Sequence, residues 1–218
     1  MATAAVASHA HPPTSTGLDH RKIAIWAFIG SECMLFASLI STYLIYKGRS
    51  VVGPFPHEVC DPPKCATHLN AILNIPVTSV STFVLLMSSL FMVLALAAVE
   101  NKGKPGYEGI FGSSKLWLLA TAIAGTTFLG FQAYEFTSFV HEGLTIRTNL
   151  FGSSFFTLTG FHGAHVTAGV LWLLTLLAID MKRGLQPKDA LLVDISALYW
   201  HFVDVVWIAI FTLVYLIR

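Results

Sequence analysis

Five long apolar stretches, at about residues 23–46, 74–99, 116–140, 153–181 and 191–217, constrain this chain more than any other feature. Each reaches the ~20 residues that a helix rising about 1.5 Å per residue needs to cross a hydrocarbon core about 30 Å thick. Inside lipid no water satisfies backbone N–H and C=O groups, so each stretch closes its hydrogen bonds within itself and is a helix. Composition agrees: 55% of the 218 residues are hydrophobic and 11% are charged, and the mean hydropathy is +0.68. A soluble domain carries roughly 25% charged residues. The expected fold is an all-α membrane protein, a bundle of about five transmembrane helices, with residues 21–218 as the membrane domain and residues 1–20 as a flexible tail. That tail lacks the basic start and short apolar core of a signal peptide. A net charge of +1 offers no basic face to nucleic acid. Three cysteines, Cys33, Cys60 and Cys65, are too few for a disulfide scaffold or a zinc ribbon.

Orientation follows from the lysines and arginines outside the spans. With the N-terminus in the cytoplasm, the inner set is Arg21, Lys22, Lys102, Lys104, Lys115, Lys182, Arg183 and Lys188. The outer set is Lys47, Arg49, Lys64, Arg147 and Arg218. The larger inner set predicts a cytoplasmic N-terminus and a periplasmic C-terminus. Cys60 and Cys65 then lie in the proline-rich first loop on the oxidising side, where a disulfide and two free thiols are both open. His9, His11 and His20 fall on the inner side, where they either collect protons or are tail residues without a task.

An ionisable side chain at mid-bilayer costs about 2.5–3.5 kcal/mol even on the lenient insertion scale, so it faces the bundle or a cavity and needs a partner. Such residues here are Glu32, Glu135, His162, His165, His201 and Asp204, with Gln132 as a neutral companion. Glu32 has no basic residue near it in sequence, and is either a proton-linked or lipid-contacting acid or a neutral carboxyl donating a structural hydrogen bond. Gln132 and Glu135 share a face of the third helix, and His162 and His165 share one on the fourth. A pair between Glu135 and either histidine has compatible depth. His201 and Asp204 repeat the spacing on the fifth helix, flanked by Trp200 and Trp207. These residues are expected to form structural polar pairs that lock helices together, in preference to a catalytic set. A stripe of Gly160, Ala164 and Ala168 predicts close approach of a neighbouring backbone. Carboxylate-bridged di-metal bundles need a Glu-x-x-His on each of two helices, and none occurs. No metal is expected, although His162, His165 and Glu135 could supply a facial ligand set in principle. There is no haem-attachment motif, phosphate loop or nucleophile elbow.

The last two helices add a family. Phe151-Gly-Ser-Ser-Phe-Phe-Thr-Leu-Thr-Gly-Phe-His-Gly-Ala-His-Val166 and Tyr199-Trp-His-Phe-Val-Asp-Val-Val-Trp207 resemble subunit III of the haem-copper terminal oxidases, the cytochrome c oxidase type. Gly130-Phe-Gln-Ala-Tyr-Glu135, Ser31-Glu-Cys-Met-Leu-Phe36 and Leu73-Asn-Ile-Pro-Val-Thr-Ser79 resemble further segments of that family, so the likeness runs from about Arg21 to Arg218. The five stretches are similar to the short bacterial type, against the seven helices of mitochondrial members. The resemblance implies a non-redox accessory subunit of a proton-pumping oxygen reductase in the bacterial inner membrane. It implies packing on subunit I beside subunit II and small subunits, with haem and copper held by the partners. It also implies phospholipid in a cleft, support of proton uptake, and protection of the catalytic subunit during turnover. Glu32 falls on the family's buried glutamate, and no catalytic residue is expected in this chain. The corresponding subunit of a quinol oxidase, or of a nitric-oxide-reductase-associated complex, fits the same pattern. A stand-alone membrane enzyme or carrier using the Glu/His set is the alternative of another class.

Overall fold

The computed structural model describes Gly17, residues 19–47, Arg49, Leu73 and residues 75–217. Cys60, Cys65, His9 and His11 lie outside the described residues. Among the described residues five α-helices run up and down: α1 (His20–Tyr46), α2 (Ile75–Glu100), α3 (Ser114–His141), α4 (Leu150–Arg183) and α5 (Ala190–Phe211). All five are long and apolar enough to cross a membrane. The starts of α1, α3 and α5 share one end of the bundle, called here the N-terminal end, and their finishes share the other.

The helix ends carry recognisable local chemistry. Asp19 caps α1 by accepting from the Arg21 N–H at 2.8 Å, and Asn149 caps α4 by accepting from the Gly152 N–H at 2.6 Å. Pro76 sits in the first turn of α2, where its missing N–H costs nothing. Gly184 ends α4 with a φ of 70°, a left-handed conformation that favours glycine. At 34 residues α4 is about 51 Å long and overruns the hydrocarbon. A 3₁₀ turn (Pro187–Asp189) leads into α5, and a π turn (Thr212–Leu216) follows it. That wider turn carries Val214 and Tyr215 into the core.

Helix α5 is the axis of the bundle, packed against α1, α2 and α4. Helix α3 lies across α2 and α4, and α1 leans on α4 and α5. Trp200 is the pivot. Its ring lies over Gly125 of α3 and Gly169 of α4, where an added Cβ would come within 2.6 and 2.8 Å of ring carbons. Close approach on α4 therefore uses Gly163 and Gly169. The stripe expected at Gly160, Ala164 and Ala168 turns outward instead: both alanines are exposed, and a Cβ on Gly160 would meet nothing. Four-residue spacing marks a face of a helix and does not say which way that face turns.

Candidate functional site

The intramembrane polar residues are distributed over four seams between helices. On the α1–α4 seam, His165 Nε2 lies 3.1 Å from Glu32 Oε2. The other ring nitrogen, Nδ1, lies 2.8 Å from the Phe161 carbonyl. A carbonyl only accepts, so Nδ1 carries a hydrogen, and a hydrogen bond at Nε2 takes its hydrogen either from that nitrogen or from the Glu32 carboxyl. The Tyr199 hydroxyl donates to the His165 carbonyl at 3.0 Å, and Phe36 stands edge-on to the imidazole at 5.0 Å. Each of the two paired side chains keeps 17% of its surface open, so the pair is not sealed from its surroundings.

Glu135 therefore does not meet a histidine. It accepts from the Thr78 hydroxyl of α2 at 2.7 Å, and Tyr215 of the π turn faces the same carboxyl. Depth alone allowed the Glu135–histidine pair. Rotation decided against it, because Glu135 looks toward α2 and the end of α5 while His165 looks toward α1. Below this cluster the Lys47 ammonium donates to the carbonyls of Ile217 at 2.5 Å and Leu213 at 3.5 Å. Desolvation there holds the Lys47 amine below its usual range.

On the α3–α4 seam, the Gln132 amide donates to the Thr159 carbonyl at 2.7 Å and is wedged on Gly163. A Cβ at 163 would stand 2.7 Å from the Gln132 oxygen, so a larger residue there has to displace the Gln132 amide. His162 is fully buried, and neither ring nitrogen has a hydrogen-bond partner among the described residues. It is held as an aromatic ring: stacked on Trp207 at 4.9 Å, with Phe128 edge-on at 5.8 Å and Phe36 at 6.4 Å.

The α2–α5 seam is laced by hydroxyls. The indoles of Trp200 and Trp207 donate to Ser88 and Thr82, each at 2.9 Å, and Ser89 bonds His201 Nδ1 at 2.5 Å. His201 thus takes Ser89 as partner, not Asp204. Asp204 is buried between the two tryptophan turns and makes no hydrogen bond among the described residues, although Ser89 faces it.

A further cluster at the N-terminal end was not foreseen. Asp180, 1% exposed, accepts from the Ser114 hydroxyl at 2.5 Å and from the Leu185 N–H at 2.7 Å. Lys102 donates to the Leu185 carbonyl at 2.6 Å, and ion pairs join Lys22 to Asp194 at 2.7 Å and Arg183 to Asp189 at 3.1 Å. Together they tie both loops of this end to the helix starts. The signal was present in sequence: an acid in the last turn of a helix opposes its dipole, so Asp180 needed a donor set to be there.

Among the described residues, no group of three or more His, Cys, Asp or Glu side chains gathers where a metal could be held. Two-membered ties between helices can brace a bundle or pass a proton locally.

A family model described as cytochrome c oxidase subunit III matches residues 3–217. The cytochrome c oxidase subunit 3 of Bacillus sp. (strain PS3) is 41% identical over 194 residues, covering 89% of this chain and 84% of that one. The quinol oxidase subunit 3 of Bacillus subtilis (strain 168) is 37% identical, covering 89% of this chain and 85% of its own. The cytochrome bo(3) ubiquinol oxidase subunit 3 of Pseudomonas aeruginosa is 33% identical over 225 residues, covering 99% and 98%.

Proposed function

The chain belongs to the cytochrome c oxidase subunit III family, and from that premise we propose that it packs on the catalytic subunit I of a haem-copper oxygen reductase and supports its proton uptake. It is a multi-pass protein of the bacterial inner membrane and an accessory subunit, in a family without redox centres of its own. The match over residues 3–217 carries the reading, since it includes all five spans. Haem and copper are assigned to subunits I and II. Within this chain Glu32 and His165 are the pair assigned to proton support, because they meet across two helices and stay partly open. Gln132, Glu135 and His201 brace the seams through their bonds to Thr159, Thr78 and Ser89. An apolar groove of about 400 Å³ between α1, α4 and α5, lined by Phe28, Trp172 and Ile195 with Arg21 beside it, fits a phospholipid acyl chain with its phosphate near the guanidinium.

The electron donor is left between two readings, because relatives named for cytochrome c oxidase and for quinol oxidases are similar at 41% and 37% identity. A copper-ligand motif in the neighbouring subunit II selects cytochrome c.

The test is removal of this subunit from the purified complex. Haem and copper content should persist, while oxygen consumption slows or decays faster over repeated turnovers. Stoichiometric loss of a haem or copper with this chain alone, or oxidase activity in the isolated chain, would sink the assignment.

A further inference from the structure

The loop joining α2 to α3, residues 101–113, is built as a compact unit. Gly103, Gly106 and Gly109 take left-handed φ values of 85°, 89° and 67° at three-residue intervals. Backbone bonds close the turns between them: Lys104 N–H to Asn101 at 3.0 Å, Tyr107 to Lys104 at 3.3 Å and Ser113 to Ile110 at 3.2 Å. At Gly112 the chain folds back so tightly that a Cβ would stand 2.1 Å from the Tyr107 carbonyl oxygen.

The tip of this loop turns two large apolar side chains outward, with Ile110 64% and Phe111 61% exposed. Phe111 does not reach away from the bundle. Its ring lies 6.4 Å from Trp117 in the first turn of α3, and Trp117 in turn lies 5.9 Å from Phe91 of α2. The tip therefore packs beside the first turn of α3, and aromatic rings at the start of a membrane-crossing helix are of the kind that gather at the membrane interface. In sequence Lys102, Lys104 and Lys115 flank the tip, with Glu100 and Glu108 as the acids of that stretch. Lys102 is committed to the Leu185 carbonyl, and Lys104 bonds the neutral Asn101 side chain and makes no ion pair among the described residues. Lys115 is exposed without an ion pair among the described residues.

We propose that the 101–113 loop is a membrane-interface anchor. Ile110 and Phe111 insert at the boundary between headgroups and acyl chains, and Lys104 and Lys115 lie against lipid phosphates. Lipid is the fitting occupant because the spans on either side hold the loop at the leaflet surface, where Ile110 and Phe111 are exposed beside lysines that outnumber the acids Glu100 and Glu108 across residues 100–115. The anchor is independent of which oxidase the chain serves.

The experiment uses the whole oxidase complex in vesicles containing anionic phospholipid, with Cys33, Cys60 and Cys65 replaced by serine. A polarity-sensitive thiol label is placed by Phe111→Cys, by Ile110→Cys should the first variant fail to assemble, and by Glu108→Cys for comparison. The tip label should emit further to the blue and be quenched at least about twofold more strongly than the Glu108→Cys label by a nitroxide near the head of the acyl chain. Quenching by aqueous iodide instead, or shielding from both quenchers by a protein partner, would overturn the proposal.

Discussion

Glu32 and His165 meet at 3.1 Å across two helices that are far apart in sequence, and each keeps part of its side chain open. Glu32→Gln keeps the shape and removes the acid. Assembly should be unchanged while oxidase turnover slows or its lifetime under turnover shortens, which timed oxygen consumption of the variant complex measures. Equal turnover and lifetime would leave the pair as a brace. The Trp200 pivot gives the opposite kind of residue. Gly125→Val or Gly169→Val would drive methyl groups into a ring already 2.6–2.8 Å from the position of a first carbon. Overpacking of this sort costs typically about 1–3 kcal/mol. Both variants should lower the thermal midpoint of the chain and leave Glu32 chemistry alone. Sequence located every one of these polar residues inside the spans, because an ionisable side chain in an apolar run is conspicuous. It did not tell who meets whom. Partner choice depends on how each helix is rotated about its axis, and residue spacing does not record that. So Glu135 turned to Thr78 and His201 to Ser89.

At the scale of the element, α1 is the weakly seated helix, burying only Ile25, Phe36 and Tyr43 among its 27 residues. Three polar ties hold it at successive depths: Lys22 to Asp194, Glu32 to His165, and Lys47 to the carbonyls ending α5. Hydrogen bonds between helices in a membrane average about 0.6 kcal/mol each. Removing one by Lys22→Met should therefore be nearly silent. The triple variant Lys22→Met, Glu32→Leu, Lys47→Met should lose about 1.8 kcal/mol, on the order of a twentyfold rise in the detached population. Hydrogen exchange along α1 reads that change, and equal protection in the triple variant would mean that apolar packing alone seats the helix. The five helices were legible from hydropathy, since lipid leaves the backbone no other option. Their ends were less so: α4 continues through Lys182 and Arg183 beyond its apolar run, because polar residues extend a helix into water without a break in hydropathy to mark the stop. The π turn was not legible at all, for Thr212–Leu216 reads as ordinary helix in sequence.

For the whole molecule, the open question with the widest consequence is which way the bundle faces. By their order in the sequence, eight lysines and arginines are assigned to the N-terminal end and five to the other. Some of the eight are engaged, Lys22 with Asp194 and Arg183 with Asp189, which brings the two ends closer in net charge. The orienting effect counts basic residues and gives acids little weight, so pairing in the folded state does not weaken the bias. The N-terminal end is therefore expected in the cytoplasm. That also places the lysine-rimmed 101–113 loop on the anionic leaflet, where each basic residue near the surface contributes about 1 kcal/mol of attraction. Thiol labelling decides it, in a chain whose three native cysteines are serine. Arg147→Cys should react with a membrane-impermeant reagent in cells whose outer membrane is permeabilised, and Lys188→Cys should react only in inverted vesicles. The reverse pattern would leave the fold and the family intact. It would overturn the cytoplasmic N-terminus, and with it the placement of the Arg21 groove and the loop anchor on the inner leaflet.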